Sequence, residues 1–268
     1  MAANDPVVTP LAAGSLPWRP ASGVDIVRWP LPHAGVIDRV VQRSVAFLAN
    51  RQLRAVHGLD NLKAAREPFI AAINHSIKRE ALLVPSLLIL HRGGRWLPFV
   101  ADWNYALIPV VGWVMRRSGA IFVTRKPARP AFLNRFKRFY LSEASTADRV
   151  RACLEHGQSV GIFPEGTVNR DRYRLLPGRL GLAYLSLQCG APVVPVGVRF
   201  PDADPNLPLP ENAVMEVHIG AALQPPATAD DRPPIGDVRK WHAIIMAEIA
   251  RLSGKTWGPQ PRSGDDAP

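Results

Sequence analysis

Asn74-His75-Ser76-Ile77-Lys78-Arg79-Glu80 places an imidazole and a carboxylate five residues apart. Five residues turn an ideal helix by roughly 500°, so the two side chains cannot share a helix face. They can meet if His75 sits on a loop and Glu80 reaches back from the first turn of the helix that follows. A carboxylate on one ring nitrogen then fixes the tautomer and leaves the other nitrogen to accept a proton, the base–orienter logic of the hydrolase triads. If the substrate's own hydroxyl attacks, no Ser or Cys nucleophile is required. A plainer reading fits the same residues. An isolated His is commonly structural, and a Glu in a first helical turn is favoured by the helix dipole in any case.

Three further stretches carry chemistry-bearing residues at strand ends. Phe163-Pro164-Glu165-Gly166-Thr167 puts a carboxylate and free backbone amides where open α/β sheets bind ligands. Gly119–Val123 leads through Thr124 to Arg125, whose planar guanidinium suits bidentate phosphate binding. Val193-Val194-Pro195-Val196-Gly197 is an apolar strand whose Pro could shape a tunnel wall. Taken singly each is weak. An Arg after a strand is most often a solvated charge, and an apolar strand is ordinary core.

The elements that must position these residues alternate. Short apolar runs predict strands at 69–73, 96–100, 121–123, 159–163, 192–198 and 214–219. Longer patterned stretches predict helices at 80–91, 147–156, 180–188 and 238–252, and a short helix over 105–117 interrupted by Pro109 and Gly112. Strands alternating with helices imply an α/β domain with a mostly parallel central sheet flanked by helices. Residues 34–54 show a helical apolar period opposed by Arg39, Arg43, Arg51 and Arg54, which suits core packing and a membrane surface equally. Residues 126–146 carry Phe132, Phe136, Phe139 and Tyr140 at helical spacing among Arg and Lys. This reads either as a membrane or donor-docking element or as a helix packed on the domain. Residues 1–32 look irregular, with Trp18 and Trp29 pinning the arm to the body or to a lipid interface. Residues 201–234 read as long Pro- and Asp-rich loop on either side of the 214–219 strand, and the tail after Gly258 as disordered.

The chain has 268 residues and a formal net charge of +11, which favours negatively charged partners: anionic membrane, phosphorylated substrate or nucleic acid. No helix-turn-helix, zinc or RNP pattern supports the last of these. Two cysteines, Cys153 and Cys189, give neither a disulfide framework nor a zinc motif and fit a reducing, cytoplasmic setting. Met1–Val24 does not read as a secretory signal, and the longest apolar run, Ala81–Leu90, falls short of the roughly 18 residues of a spanning helix. Membrane association is therefore expected at one face only.

In order and spacing the four stretches together resemble the glycerolipid acyltransferases, the PlsC-like lysophosphatidate and glycerol-3-phosphate acyltransferases. In that family an Asn-His is followed, after four intervening residues, by Asp. A Gly-containing strand ending in Arg, a Phe-Pro-Glu-Gly-Thr turn and an apolar strand with Pro come next. The resemblance covers roughly 54–199, extends to Val56–Leu62 ahead of the first block, and includes Gly178-Arg179-Leu180-Gly181 after the third. Glu80 stands where the family has Asp, keeping the charge and adding a methylene. Val168 stands where a basic residue is common, with Arg170, Arg172 and Arg174 nearby.

The resemblance implies an acyltransferase domain over 33–257, with 126–146 as a basic aromatic insertion. It implies acyl transfer from acyl-CoA or acyl-carrier protein to the hydroxyl of a phosphate-bearing lipid precursor. His75 would be the base and Glu80 its orienter; Arg125 and Arg179 would bind phosphate; Glu165, Gly166 and Thr167 would position the acceptor. It implies no metal and no organic cofactor, and a peripheral seat on the cytoplasmic face of an anionic membrane. Glycerol-3-phosphate, another lysolipid or an amino-acid lipid as acceptor, and a non-catalytic lipid-binding role, remain alternatives.

Overall fold

Short β-branched runs and longer helix-patterned stretches alternate along the chain, and they become strands and helices respectively. A computed structural model describes residues 23–124, 126–128, 130–140, 142–204, 206–227 and 232–258. Their order is α1 (Gly23–Arg28), α2 (Val36–Asn50), β1 (Leu53–His57), α3 (Leu59–Ala64), β2 (Ile70–Ile73), α4 (Glu80–His91) and β3 (Val100–Asp102). A 3₁₀ turn (Trp103–Leu107), α5 (Pro109–Arg117), β4 (Ile121–Val123) and a 3₁₀ segment (Ala131–Tyr140) follow. The chain continues with α6 (Thr146–Glu155), β5 (Val160–Ile162), α7 (Gly181–Cys189), β6 (Val193–Arg199), β7 (Met215–Ile219) and α8 (Ile235–Ser253).

Five strands form one sheet in the order β1-β7-β6-β2-β5, parallel throughout except at the β6–β7 pair. The parallel pair β3–β4 continues it through a bridge between Phe99 and Gly161. Gly161 is needed there, because a Cβ would sit 2.1 Å from the Phe99 ring. Strand β2 lies between β6 and β5 and is covered on both faces, which explains why Phe69–Ile73 is apolar without alternation. One apolar layer packs α4 and β1, β6 and β7 together. The other packs α6, α7 and α8 against β2, β5 and β6. Helix α4 is apolar all round because it is sandwiched between α2 and the sheet.

Four expectations change. The 96–100 strand moves to Val100–Asp102, with only Phe99 of the preceding stretch bridged. Pro109 does not interrupt a helix but starts α5 at its first turn, where its missing N–H costs nothing. The N-terminal arm is not irregular to residue 32. Gly23–Arg28 is helical, Ile26 is buried, and Trp29 Nε1 donates to the Leu90 carbonyl at 3.1 Å, tying the arm to the end of α4. Within the 126–146 stretch, residues 131–140 form a 3₁₀ segment rather than an α-helix, and none of them is buried. Trp18 and the tail beyond Gly258 lie outside the described residues.

Helix α2 turns its small residues inward. Ala46, Ala49 and Gln42 are buried, whereas Val36, Ile37, Val40, Phe47 and Leu48 face outward, Val36 being 76% exposed.

Candidate functional site

Strand β2 ends at Ile73 and the next residue prolongs its pairing with a side chain. Asn74 Oδ1 accepts from the Val198 amide at 2.7 Å and Nδ2 donates to the Val198 carbonyl at 3.3 Å, imitating a ladder step against β6. The chain then leaves the sheet at His75, a buried loop residue, and re-enters regular structure at Glu80, the first residue of α4. Loop and first turn together bring the pair into contact. His75 Nδ1 and Glu80 Oε1 are 2.8 Å apart. With Glu80 ionised, Nδ1 carries the hydrogen and Nε2 is left as a proton acceptor. The His75 side chain keeps 11% of its surface exposed while that of Glu80 keeps none. The Ser76 amide also donates to Glu80 Oε1. Burial pushes the Glu80 carboxyl above its usual range, against the opposite pull of His75 and of the Ser76 and Ile77 amides.

The turn after β5 holds the same loop from beneath. Glu165 Oε1 accepts from the His75 amide at 3.0 Å. Its Oε2 accepts from Asn169 Nδ2 at 2.7 Å and from the Leu176 amide at 2.9 Å. Both carboxylate oxygens are thus engaged within the protein, and the residue's contribution in this structure is to fix the backbone of His75. Gly166 and Thr167 beside it are exposed. Gly166 has φ +70°, and a Cβ there would lie 2.4 Å from Arg179 Nε, so the turn needs glycine to let that guanidinium lie against it. Arg179 is exposed and its backbone amide donates to the Pro164 carbonyl at 2.8 Å. His75, Glu80, Glu165, Gly166 and Arg179 therefore meet at one corner of the sheet, with Thr167 on the same turn. Arg125 lies outside the described residues.

Sequence reasoning missed three residues of this corner. The Asn169 amide donates to the His75 carbonyl at 2.6 Å, and its side chain bridges Glu165 to the Arg174 carbonyl. Glu211 Oε2 accepts from the amides of Lys78 at 2.9 Å and Arg79 at 3.3 Å, satisfying donors at the start of α4. Arg170 reaches the other oxygen of Glu211 at 2.6 Å, so the Pro-rich stretch after β6 is tied into the site. Lys255, buried just beyond α8, donates to Ser76 Oγ at 2.9 Å. Asn169 lies six residues past the Pro-Glu-Gly turn's first residue, Phe163, where a polar side chain returning to the turn is a legible signal. Glu211 and Lys255 carry none.

An apolar cleft, open to solvent, lies on the α4 side of the corner. Ala81, Leu82 and Pro85 of α4 line it with Val41 and Val45 of α2 and Val114 and Met115 of α5. Phe99 also lines it, packs on Phe163 at 5.4 Å between centroids, and Phe163 stacks on His75 at 4.5 Å. Two ring contacts therefore separate the cleft from the imidazole.

A second cluster lies on the other face of the sheet's edge. His57 stacks on His218 at 4.4 Å and Glu216 stands beside them, the three offering ligand atoms within 4.8 Å of one another. Arg54 pairs with Glu216, and burial together with Arg199, His57 and Arg251 pushes the His218 pKa down to about 4. The crowd of guanidinium groups opposes a bound cation there.

The basic aromatic stretch is anchored at its end. Tyr140 packs edge-on to Phe122 at 5.5 Å, and its hydroxyl accepts from Arg116 at 3.2 Å. Phe132 and Phe139 stay exposed, with Arg135 over Phe132 and Phe136 and Arg138 over Phe139. Among the described residues no helix is long and apolar enough to cross a membrane.

A family model described as Acyltransferase matches residues 54–199. A chloroplastic 1-acyl-sn-glycerol-3-phosphate acyltransferase of Brassica napus is 31% identical over 144 residues, covering 53% of this chain and 36% of its own length. One from Arabidopsis thaliana is 28% identical, covering 53% of this chain and 34% of its own. A lyso-ornithine lipid O-acyltransferase of Pseudomonas aeruginosa is 26% identical, covering 60% and 56%. The chain thus spans about a third of the length of the two plant relatives and just over half of the bacterial one. Among solved structures, the 1-acyl-sn-glycerophosphate acyltransferase PlsC of Thermotoga maritima superposes with a TM-score of 0.55 at 18% identity, covering 83% of each chain. That likeness is one of fold.

Proposed function

The chain belongs to the Acyltransferase family, and from that premise we propose that it moves a fatty acyl group from a thioester donor, acyl-CoA or acyl-carrier protein, to the hydroxyl of a lysophosphatidate-like acceptor at an anionic membrane surface. The observation that carries this reading is the 2.8 Å contact of His75 Nδ1 with buried Glu80, two ring contacts from an apolar cleft. His75 Nε2 takes the acceptor's proton as its hydroxyl oxygen attacks the thioester carbonyl. Glu80 steadies the imidazolium that forms. Collapse of the tetrahedral intermediate forms the ester, breaks the C–S bond and returns the proton to the departing thiolate. The thioester is already activated, so this chemistry calls for no further cofactor. Arg179, against the Gly166 turn, and Arg125 are the phosphate ligands in this reading, and the cleft takes the acyl chain.

The outer surface supports a lipid seat. The same α2 and α5 that wall the cleft turn Val36, Ile37, Val40, Val110 and Trp113 outward. An ion pair between Arg117 and Asp38 joins the two helices. Exposed Arg28, Arg39 and Arg51 flank this face, the arrangement of an element lying in a headgroup layer. An acyl chain thus has a short route from bilayer to cleft.

The relative named for lyso-ornithine lipid gives a second reading, an amino-acid lipid as acceptor. Thiol release from palmitoyl-CoA by the purified protein, with lysophosphatidate, with a lyso-ornithine lipid and with neither, separates the two. Acceptor-dependent release is expected with lysophosphatidate; release with the ornithine lipid alone selects the second. Silence with both acceptors, on CoA and carrier-protein donors alike, overturns acyl transfer in favour of a non-catalytic lipid-binding role.

A further inference from the structure

Helix α8 ends at Ser253, and Gly254, with φ +69°, turns the chain back toward the sheet. The next residue is Lys255, 8% exposed. Its position is fixed by backbone: its amide donates to the Ala250 carbonyl, and Thr256 exchanges hydrogen bonds with Tyr173 and Leu175. The ammonium donates to Ser76 Oγ at 2.9 Å and to the Asp171 carbonyl at 2.6 Å. Ser76 in turn donates its amide to Glu80, which meets His75. A hydrogen-bonded chain therefore runs from Lys255 through Ser76 and Glu80 to the imidazole.

We propose that Lys255 is a positioning residue for acyl transfer, a buried cation that braces the His75 loop and keeps Glu80 ionised to hold the His75 ring. The inference rests on His75 being the base. The charges make the case. Glu80 and Glu165 are both buried, one against the ring of His75 and one against its amide. An uncompensated buried carboxylate tends to take up a proton, and a protonated Glu80 no longer anchors Nδ1–H. Glu80, Glu165 and Asp171 face Lys255 from α4, the turn after β5 and the loop beyond it, and each acts to raise its pKa, although burial brings it below the usual lysine range. Arg199 lies against neighbouring Gly254 with its guanidinium bonded to the Leu252 and Arg251 carbonyls. Lys78 and Arg79, on the loop itself, are exposed. A strut without charge would satisfy Ser76 equally well; the two carboxylates are what call for an ammonium.

The test is the pH profile of kcat/KM for the wild type, Lys255→Met, Lys255→Arg and Ser76→Ala, with thermal unfolding of each. Removing the cation makes protonation of the His75–Glu80 pair easier, so the acid limb in Lys255→Met should move up by about one pH unit, and kcat at neutral pH should fall roughly tenfold or more with donor KM little changed. Lys255→Arg should restore the acid limb. Ser76→Ala should lower kcat without moving it, because the charge remains. If Lys255→Met does not fold, Lys255→Gln, which keeps a donor for Ser76 without the charge, carries the same comparison. An acid limb that stays in place in the neutral variants, with activity lost only in proportion to folded protein, overturns the proposal. His75→Ala, measured alongside, separates the two failures: activity retained there removes the base assignment itself, whereas an inactive His75→Ala with an unmoved Lys255 profile removes only Lys255.

Discussion

The corner around His75 and the outer face of α2 and α5 obey opposite rules. At the corner, polar and charged groups are buried, and nearly every one has a partner: Glu165 is held by three donors, Asn74 by both atoms of Val198, His75 by Glu80. On the outer face large apolar side chains stand in the open while Ala46 and Ala49 are tucked inside. Desolvating a carboxylate is tolerable only when hydrogen bonds replace its water, so the corner is a place where geometry is fixed. Exposed valines and an exposed Trp gain nothing from water, and the proposed lipid seat would give this face an apolar phase to enter.

The largest expected effect breaks the corner and leaves the face alone. His75→Ala should reduce acceptor-dependent thiol release by roughly 10²–10⁴-fold with an unchanged thermal midpoint and unchanged vesicle binding. A loss of vesicle binding would show that the two regions are not independent. Next in size, the triple change Val36, Ile37 and Val40→Ser should cut flotation with anionic liposomes by about ten- to a hundredfold, since each exposed aliphatic side chain contributes on the order of 1 kcal/mol or more when it leaves water. It should not lower thermal stability, because these side chains contact solvent in the folded protein. Destabilisation instead would mean that the face is covered by protein. The smallest effect belongs to the 131–140 segment. Phe132 and Phe139→Ser should weaken flotation a few-fold, most clearly at high salt, where the adjoining Arg135, Lys137 and Arg138 are screened. Flotation that does not change assigns the segment no lipid contact.

Legibility in the sequence followed range. The His75–Glu80 pair was readable because five residues and one helix start decide it. Strands β2 and β6 were readable because burial on both faces demands an unbroken apolar run. The parallel α/β architecture followed from the alternation of such runs with helices. The strand expected over 96–100 was misplaced because Pro98 and the packing of Phe99 over Gly161 let only one residue bridge before Val100. The Phe and Tyr residues of 126–146 fall at a spacing that suits an α-helix, and the sequence does not reveal that residues 131–140 wind as 3₁₀ with Tyr140 packed on Phe122. Glu211 and Lys255 were illegible for a different reason. Each meets the His75 loop across more than 130 residues, 133 for Glu211 and Lys78 and 179 for Lys255 and Ser76. Neither stands in a motif, and an isolated Glu or Lys in sequence reads as a surface charge.

Those separations bear on how the molecule comes into being. The amide of His75 is held from position 165, its carbonyl from 169 and the start of its helix from 211. Closing such long loops costs chain entropy before any contact repays it. Helices such as α8 complete themselves from neighbours in sequence, but the loop of His75 acquires its shape only when distant parts of the chain have met. A collapsed intermediate with its helices formed would still lack an oriented imidazole, so recovery of activity during refolding should trail recovery of helical signal.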